Sequence, residues 1–195
     1  MADIFRQSET VHIVSSTAKA AEFFGGLLPP DRFSIVPAGK TASAARLSLN
    51  ASSPAIAVVS APLPDENGVV LSRELALAGW GVLLLVPASS AAAAEERLSP
   101  DGILVLPRPA DRSLLLQAIY LLSAIRTRLL RLEKQNNTLQ TKLDDIRLVD
   151  RAKLLLMQQL KMTEHEAHRY IEKTAMDRCL RRRDIAENII RTYED

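Results

Sequence analysis

The chain has 195 residues, of which 47% are hydrophobic, 25% charged and 4% aromatic, and its formal net charge is +2. This composition is typical of a globular protein with an aliphatic core, and the length allows one large domain or two small ones. The single cysteine, Cys179, excludes an intramolecular disulfide framework and fits a reducing compartment. No apolar run approaches the roughly 20 residues of a membrane span and no signal-peptide core is present, so a soluble cytoplasmic protein is expected.

The charge is distributed unevenly along the chain. Residues 1–121 carry 9 basic and 11 acidic side chains, a net charge of −2, whereas residues 122–195 carry 16 and 12, a net charge of +4. This mild asymmetry is compatible with nucleic-acid binding by the C-terminal part without requiring it.

Short apolar segments alternate with helical segments over the first 121 residues. Strands are predicted at residues 11–14, 33–36, 55–59, 81–86 and 103–106. Helices are predicted at residues 18–28, 42–49, 70–78 and 90–98, the last capped by Ser90, and a longer one from Arg112. Wholly apolar strands between helices indicate an α/β fold with a five-stranded, doubly wound parallel sheet. Functional side chains are then expected at the carboxyl ends of the strands.

Two loops carry a more specific signal. The segment Ser60-Ala61-Pro62-Leu63-Pro64-Asp65-Glu66-Asn67-Gly68 follows the third strand, and Leu106-Pro107-Arg108-Pro109 follows the fifth. Together with the strand pattern, these loops resemble those of response-regulator receiver domains over about residues 10–121. The resemblance implies a phosphate-accepting aspartate, an acidic pair that binds Mg²⁺, a threonine or serine, and a lysine, each at the end of a strand.

The chain departs from the receiver pattern at each of these positions. Ser60 replaces the aspartate, Ser15 and Ser16 replace the acidic pair, Pro87 replaces the threonine or serine, and Arg108 replaces the lysine. An acyl phosphate needs a carboxylate nucleophile, and Mg²⁺ needs carboxylate ligands. We therefore predict that residues 1–121 form a pseudo-receiver domain that aspartyl phosphorylation does not switch. This domain either only packs and assists dimerisation, or binds a regulatory protein or ligand at its degenerate face.

Residues 122–146 contain a seven-residue repeat. One set of core positions is Leu122, Leu129, Asn136 and Leu143, and the other is Ile125, Leu132, Leu139 and Ile146. A repeat of 3.5 residues with a polar flank predicts a coiled coil. Asn136 favours two strands in register, because each asparagine is satisfied by its counterpart only when the helices are aligned. We predict a homodimer; the alternative is one amphipathic helix that packs on its own domain.

Residues 147–195 are predicted to form a bundle of three short helices. The first spans residues 148–160, the second starts at a Thr163-x-x-Glu166 capping box and ends near Met176, and the third starts near Arg182. The second helix is expected to turn a stripe of side chains inward, namely Ala167, Tyr170, Ile171 and Thr174.

This C-terminal segment contains four dipeptides at a specific spacing: Ala152-Lys153, Leu156-Met157, Glu166-Ala167 and Ala175-Met176. The pattern resembles the ANTAR domain, the RNA-binding output module of bacterial transcription antitermination regulators. Leu154 departs from it, because the family usually has glycine there. The resemblance implies a dimer that binds paired hairpins in nascent leader transcripts and favours an antiterminator over a terminator.

Basic side chains are the predicted RNA contacts. They are Arg147, Arg151, Lys153, Arg178, Arg181, Arg182 and Arg183. Arginine pairs bidentately with phosphate or guanine, but the same residues also suit a solvated charged face. Tyr170 is a candidate to stack on an unpaired base, although a position in the core is favoured.

Other functions stay open. The start of the third helix would suit a helix-turn-helix protein that reads DNA, and a dimeric adaptor controlled by a partner protein would need no nucleic acid. His165, His168 and Cys179 lack a fourth ligand and the usual zinc spacing, so no metal site is predicted. No Gly-rich phosphate loop and no nucleophile–base pair is present, so neither an enzyme nor a cofactor is expected.

Overall fold

The computed structural model describes residues 8–194, and the chain divides between Arg128 and Leu129 into two compact units. We predicted domain boundaries after residues 121 and 146. The division into units falls later than the first of these, because the opening turns of the longest helix pack with the N-terminal unit.

The first unit is a parallel five-stranded sheet with helices on both faces. Its strands are β1 (Glu9–Ser15), β2 (Phe33–Gly39), β3 (Ile56–Ser60), β4 (Gly81–Pro87) and β5 (Leu104–Arg108). Its helices are α1 (Lys19–Gly25), α2 (Ala42–Asn50), α3 (Val69–Leu77), α4 (Ala88–Leu98) and the start of α5 (Arg112–Leu160). The strand order is β2-β1-β3-β4-β5, which confirms the predicted doubly wound sheet.

The sheet has one apolar core on each face, and alternate residues of a strand contribute to each core. From β3, Ile56 and Val58 pack with α1 and the start of α5, whereas Ala57 and Val59 pack with α2, α3 and α4. All four side chains are fully buried. This two-sided burial explains why the strand reads as a continuous apolar run in the sequence.

Two helices, α1 and α4, begin or end more than one residue away from the predicted position. α1 ends at Gly25, with Gly26 as its C-cap, because two adjacent glycines disfavour helix continuation before the prolines are reached. α4 begins at Ala88, so the prediction that Ser90 caps it is wrong. The Ser90 hydroxyl instead donates to the Pro87 carbonyl, 3.0 Å away.

The long helix α5 is the one helix among residues 8–194 that could cross a membrane by length and composition, with an 18-residue window of mean hydropathy 1.3. Its apolar residues Leu115, Ile119 and Leu122 are buried against the sheet, at the spacing of a core-facing helical stripe. Because the core helix of a globular domain passes the same test, the helix is weak support for a membrane span.

His12, in the middle of β1, is a buried titratable group. Its ring meets the Trp80 ring edge to face at 5.1 Å between centroids, and its Nδ1 has no hydrogen-bond partner in the described structure. Burial lowers the pKa of His12 below its usual 6.5, because the cation would be poorly solvated.

We expect this histidine to make the first unit less stable in mild acid. The unfolded chain binds the proton near pH 6.5 and the folded chain only at lower pH, so stability is complete above about pH 6.5 and falls as the pH drops. Hydrogen exchange of β1 amides, normalised for the intrinsic rate, should accelerate between about pH 7 and 5 in the wild type but less in His12→Leu. The control is His168→Gln, at a surface histidine of the second unit, which should leave the acceleration unchanged. If His12→Leu also leaves the acceleration unchanged, protonation of His12 is not its cause.

Asp65, in the loop after β3, caps the start of α2. Its carboxylate accepts hydrogen bonds from the Ala42 amide at 2.8 Å and from the Ser43 amide and hydroxyl at 2.9 Å. The Ser43 and Ala42 amides lower the pKa of Asp65 to about 2 from its usual 3.8. These hydrogen bonds tie the loop after β3 to the neighbouring helix.

Asp65→Asn should reduce the acid sensitivity of α2. The folded-state pKa of Asp65 is depressed, so its stabilising contribution is complete above about pH 4 and is lost as the pH falls towards about 2. Normalised exchange of α2 amides should therefore rise less over this range in the variant than in the wild type. Asp31→Asn is the control, because the Asp31 carboxylate has no partner in the described structure; an equal effect there would contradict the assignment.

The second unit packs the end of α5 against α6 (Glu164–Asp177) and α7 (Arg182–Glu194). Its core contains nine buried side chains: Ala152, Leu155, Leu156, Ala167, Ile171, Ala175, Ile185, Ala186 and Ile189. The predicted capping box is confirmed, since the Thr163 amide donates to Glu166 Oε2 at 2.8 Å and the Glu166 amide donates to Thr163 Oγ1 at 3.3 Å. The first predicted helix of the bundle is the continuation of α5 rather than a separate element.

The core face of α6 differs from the prediction. It consists of Ala167, Ile171 and Ala175, at steps of four residues, so the stripe lies to one side of Tyr170. Tyr170 is 45% exposed, and its predicted place in the core is therefore wrong. This leaves its ring available at the surface.

Candidate functional site

The predicted coiled-coil stripe on α5 lies in different surroundings along its length. Leu122 is 5% exposed and packs in the core of the first unit, which corrects its assignment as an available dimerisation residue. From Ile125 onward the predicted core residues are about half exposed in the single chain. We call these residues the seam; the apolar members are Ile125, Leu129, Leu132, Leu139, Leu143 and Ile146, and the polar member is Asn136.

Most of the predicted RNA-contacting cations are held in ion pairs. The pairs are Lys153 with Asp150 and Glu164, Arg181 with Asp184, Arg182 with Glu172, and Arg183 with Asp145 and Glu187, at nitrogen–oxygen distances of 2.8 to 3.2 Å. The hydrogen bonds that Lys153 donates to the Asp150 and Glu164 carboxylates raise the pKa of Lys153, which keeps it charged. Arg147 lies 3.6 Å from Asp144 and is largely exposed, and Arg151 is exposed on α5.

The ion-paired cations surround one concave surface. A groove of about 810 Å³ opens between α5, α6 and the start of α7. Its apolar lining includes Ile146, Val149, Met176 and Leu180, and its charged lining includes Lys153 and the Arg181–Arg183 run. The structure thus brings together four of the seven predicted cations, whereas Arg147, Arg151 and Arg178 lie outside the lining.

The outer side of α6 carries a second group, which the sequence analysis missed in part. Arg169, Tyr170 and Lys173 are exposed and lie within one helical turn of each other; we call them the α6 outer face. Neither Arg169 nor Lys173 has an ion-pair or hydrogen-bond partner in the described structure, and the same holds for Arg178 just after the helix. The sequence contains a signal for this face, because Tyr170 directly follows Arg169 and precedes Lys173 by three residues. The sequence analysis misses this signal because it places Tyr170 in the core.

The degenerate receiver positions also converge. Ser15, Ser60, Pro87 and Arg108 are the last residues of β1, β3, β4 and β5. Ser15 is the register partner of Ser60, and Pro87 is the register partner of Arg108. We call Ser15, Ser60 and Arg108 the strand-end site. Ser16 follows in the exposed loop.

Arg108 is the centre of the hydrogen bonds at the strand-end site. Its Nη1 donates to Ser60 Oγ at 3.0 Å, and its Nη2 donates to the Ala61 carbonyl. Ser15 Oγ accepts from the Thr17 amide at 3.3 Å. Across residues 8–194, no group of three or more His, Cys, Asp and Glu side chains is placed to hold a metal ion.

Comparisons with known proteins agree with both halves of this architecture. Residues 137–190 match the family model of the ANTAR domain. The chain is 29% identical over 140 residues to the transcriptional regulatory protein PdtaR from two strains of Mycobacterium tuberculosis, a match that covers 71% of this chain and 68% of PdtaR.

Solved structures show the fold. The response regulator StyR matches with a TM-score of 0.61 at 14% identity, covering 96% of this chain and 100% of that chain. A response-regulator receiver domain from Clostridium thermocellum matches with a TM-score of 0.55 at 14% identity, covering 62% of this chain and 98% of that chain.

The chain thus combines a receiver-like α/β unit with a helical unit that contains the ANTAR match. The ANTAR match begins at residue 137, inside the predicted coiled-coil segment. These matches confirm the two resemblances found in the sequence, to the ANTAR domain over residues 137–190 and to receiver domains over the first unit.

Proposed function

We propose that this protein is a homodimeric, RNA-binding regulator of transcription antitermination that acts on hairpins in leader transcripts. The observation that carries the proposal is the ANTAR match over a helical unit whose α6 outer face presents two unpaired cations beside an exposed tyrosine. The matched relative is itself a transcriptional regulatory protein. Such a protein acts in the cytoplasm, where transcripts form, and catalyses no bond chemistry.

Dimerisation is supported by the seam. Large aliphatic side chains that are half exposed at heptad spacing are unfavourable in water and are the usual signature of a partner helix. The heptad phase places Asn136 at a core position of the same stripe, where paired asparagines favour two helices in register. We infer that two copies associate through the exposed part of the seam, from Ile125 to Ile146.

The α6 outer face is the better phosphate-binding surface. Each ion-paired arginine would have to release a carboxylate before binding a phosphate, and the released carboxylate would then repel the RNA. Arg169, Lys173 and Arg178 have no such carboxylate partner in the described structure. Tyr170 offers a ring on which an unpaired loop base can stack. The groove cations predicted from the sequence then serve as a secondary contact.

The proposed mechanism is a shift between two RNA folds. A dimer with two RNA-binding units gains from simultaneous binding to two adjacent hairpins, because the second contact is intramolecular. The protein can favour the antiterminator only by its higher affinity for that fold over the terminator. The first unit would not be switched by aspartyl phosphorylation, since Ser60 offers no carboxylate to phosphorylate.

The test compares the purified full chain on four ligands of equal length: a two-hairpin RNA, the same RNA with one loop sequence scrambled, the RNA as a perfect duplex, and duplex DNA. We expect the two-hairpin RNA to bind most tightly, with affinity that falls as salt rises. Equal binding to duplex DNA would support a DNA-binding regulator instead. Salt-independent or absent binding to every ligand would support an adaptor without a nucleic-acid partner.

A further inference from the structure

The strand-end site of the first unit has a positive charge and no carboxylate. Arg108 hydrogen-bonds only neutral groups, the Ser60 hydroxyl and the Ala61 carbonyl, and forms no ion pair with any residue in the described structure. A guanidinium carries five N–H donors. Two of the five N–H groups of Arg108 are used in these hydrogen bonds, and the residue is exposed. Most of its N–H donors therefore stay available to a ligand.

The two hydroxyls beside it are also donors. Ser60 Oγ already accepts a hydrogen bond from Arg108, so its own proton is free to be donated. Ser15 Oγ accepts from the Thr17 amide and shares a 3.4 Å contact with the Thr17 hydroxyl. A site composed of a cation and hydroxyl donors attracts an anion and repels Mg²⁺.

The sheet geometry directs these groups to one place. Ser15 and Ser60 are register partners on adjacent strands, two residues after Ile13 and Val58, which face the same core. Side chains alternate along a strand, so both serines project to that same face, as does Arg108, two residues after Leu106. The carboxyl ends of parallel strands are where α/β sheets bind ligands.

We propose that the strand-end site binds a small oxyanion, a phosphate or carboxylate group of a small molecule, without a metal ion. The anion lies on the free edge of the Arg108 guanidinium and accepts hydrogen bonds from the Ser60 and Ser15 hydroxyls. Both serines are less than a tenth exposed, so a small ligand reaches them more readily than a side chain on a protein surface does. The proposal does not depend on RNA binding by the second unit.

This site would bind a phosphoryl compound without reacting with it. Transfer of the phosphoryl group would need a carboxylate nucleophile, and the strand-end site has none. The ligand therefore stays intact and dissociates reversibly. Its occupancy would follow its concentration in the cell and would not depend on a kinase.

The experiment titrates the full chain, labelled with ¹⁵N, with inorganic phosphate, methyl phosphate and malonate, each against sodium chloride at equal ionic strength and without Mg²⁺. We expect saturable shifts of the Ser15 and Ser60 amides and of the Arg108 side-chain N–H signals. Tighter binding of either phosphate identifies a phosphoryl ligand and tighter binding of malonate a carboxylate ligand; both support the site. Absence of a saturable shift with all three anions would overturn the proposal.

Variants separate this site from general attraction of anions. Arg108→Gln should weaken binding about tenfold or more, and Ser60→Ala about threefold, consistent with the loss of a charged and of a neutral hydrogen bond. Arg97→Gln is the matched control, since Arg97 is exposed in the last turn of α4, at the opposite end of that helix from the strand-end site. Equal losses in Arg108→Gln and Arg97→Gln would overturn the proposal. The variants need only retain the wild-type amide spectrum elsewhere in the first unit to count as folded.

A second readout tests the absence of chemistry. The full chain incubated with acetyl phosphate and Mg²⁺ should show no added phosphoryl mass, and the shifts at Ser15 and Ser60 should persist with acetyl phosphate when Mg²⁺ is omitted. A phosphoryl group on Ser60, or binding that requires Mg²⁺, would contradict the proposal.

Discussion

Leu132→Glu should convert the protein from a dimer to a monomer at micromolar concentration. The substitution removes an aliphatic core side chain of the proposed coiled coil and places two like charges, one from each helix, in a dry interface. Truncation of a buried leucine alone costs ~2–5 kcal/mol, and an unpaired buried charge adds to this. We expect dimer affinity to fall by about a hundredfold or more, since ~1.4 kcal/mol corresponds to a factor of ten.

Leu130→Glu is the matched control. Leu130 and Leu132 lie two residues apart on α5, and both are 50% exposed in the single chain. Only Leu132 lies at a heptad core position; Leu130 lies outside the seam. Sedimentation equilibrium should therefore show a monomer for Leu132→Glu and a dimer for Leu130→Glu. A dimer in both variants would rule out the seam as the interface, and a monomeric wild type would rule out dimerisation.

The same pair of variants tests the link between assembly and RNA binding. A monomer retains one RNA-binding unit and loses the intramolecular second contact, a loss of ~100-fold or more where the two sites match the spacing of the ligand. Leu132→Glu should bind a single hairpin as the wild type does but lose its preference for two hairpins. Retained preference in a confirmed monomer would show that one unit reads both hairpins.

The second large effect is expected from the α6 outer face. Arg169→Gln combined with Lys173→Gln should lower affinity for the two-hairpin RNA by about 100-fold or more, since hydrogen bonds to charged groups contribute ~1.5–3 kcal/mol each and ~1.4 kcal/mol corresponds to a factor of ten. The dependence of log affinity on log salt should become shallower by ~0.7 per lost phosphate contact to a single strand. Filter binding across a salt series measures both quantities.

The control for this variant removes the same charge elsewhere. Lys161 and Arg191 are exposed cations of the second unit with no partner in the described structure, and neither belongs to the α6 outer face. Lys161→Gln combined with Arg191→Gln should change affinity only slightly. If both double variants lose affinity equally, RNA responds to the overall charge of the unit and the α6 outer face is not the contact surface.

Tyr170→Ala separates stacking from charge on the same face. Loss of a base–aromatic stack costs ~1–3 kcal/mol per base and leaves the number of phosphate contacts unchanged. The variant should therefore bind the hairpin loops more weakly with an unaltered salt slope. A changed slope with unaltered affinity at low salt would contradict a stacking role.

The parallel sheet and the capping box could be predicted because their signals are local. Burial of both faces leaves a strand wholly apolar, and Thr163 and Glu166 are three residues apart, within reach of each other's amides. The strand-end positions Ser15, Ser60 and Arg108 could be placed for the same reason, since each closes a recognisable strand.

The packing partner of Leu122 could not be predicted from the sequence. A core-facing helical stripe and a coiled-coil core both recur at steps of three and four residues, and on α5 one follows the other. The spacing of apolar residues therefore continues unbroken from Leu122 to Ile125, although Leu122 packs in the core of the first unit and Ile125 is exposed. Spacing alone does not reveal which partner a stripe meets.

The ion pairs of the charged surface could not be predicted from the sequence either. Arg183 pairs with Asp145, and Arg182 pairs with Glu172, across elements that only the folded bundle brings together. Tyr170 was misplaced because a helix advances by 3.6 residues per turn, and the core stripe at Ala167, Ile171 and Ala175 leaves it just outside. Both errors concern side-chain direction, which depends on packing between helices.

Because the chain has a single tryptophan, tryptophan fluorescence distinguishes the two units. Trp80 lies buried beside His12, immediately before β4, and the second unit contains no tryptophan. Tryptophan fluorescence therefore follows the melting of the receiver-like unit alone, whereas far-ultraviolet circular dichroism reports the helices of both units. Recorded together on the intact protein, the two signals would reveal whether the units unfold as one cooperative block or in succession.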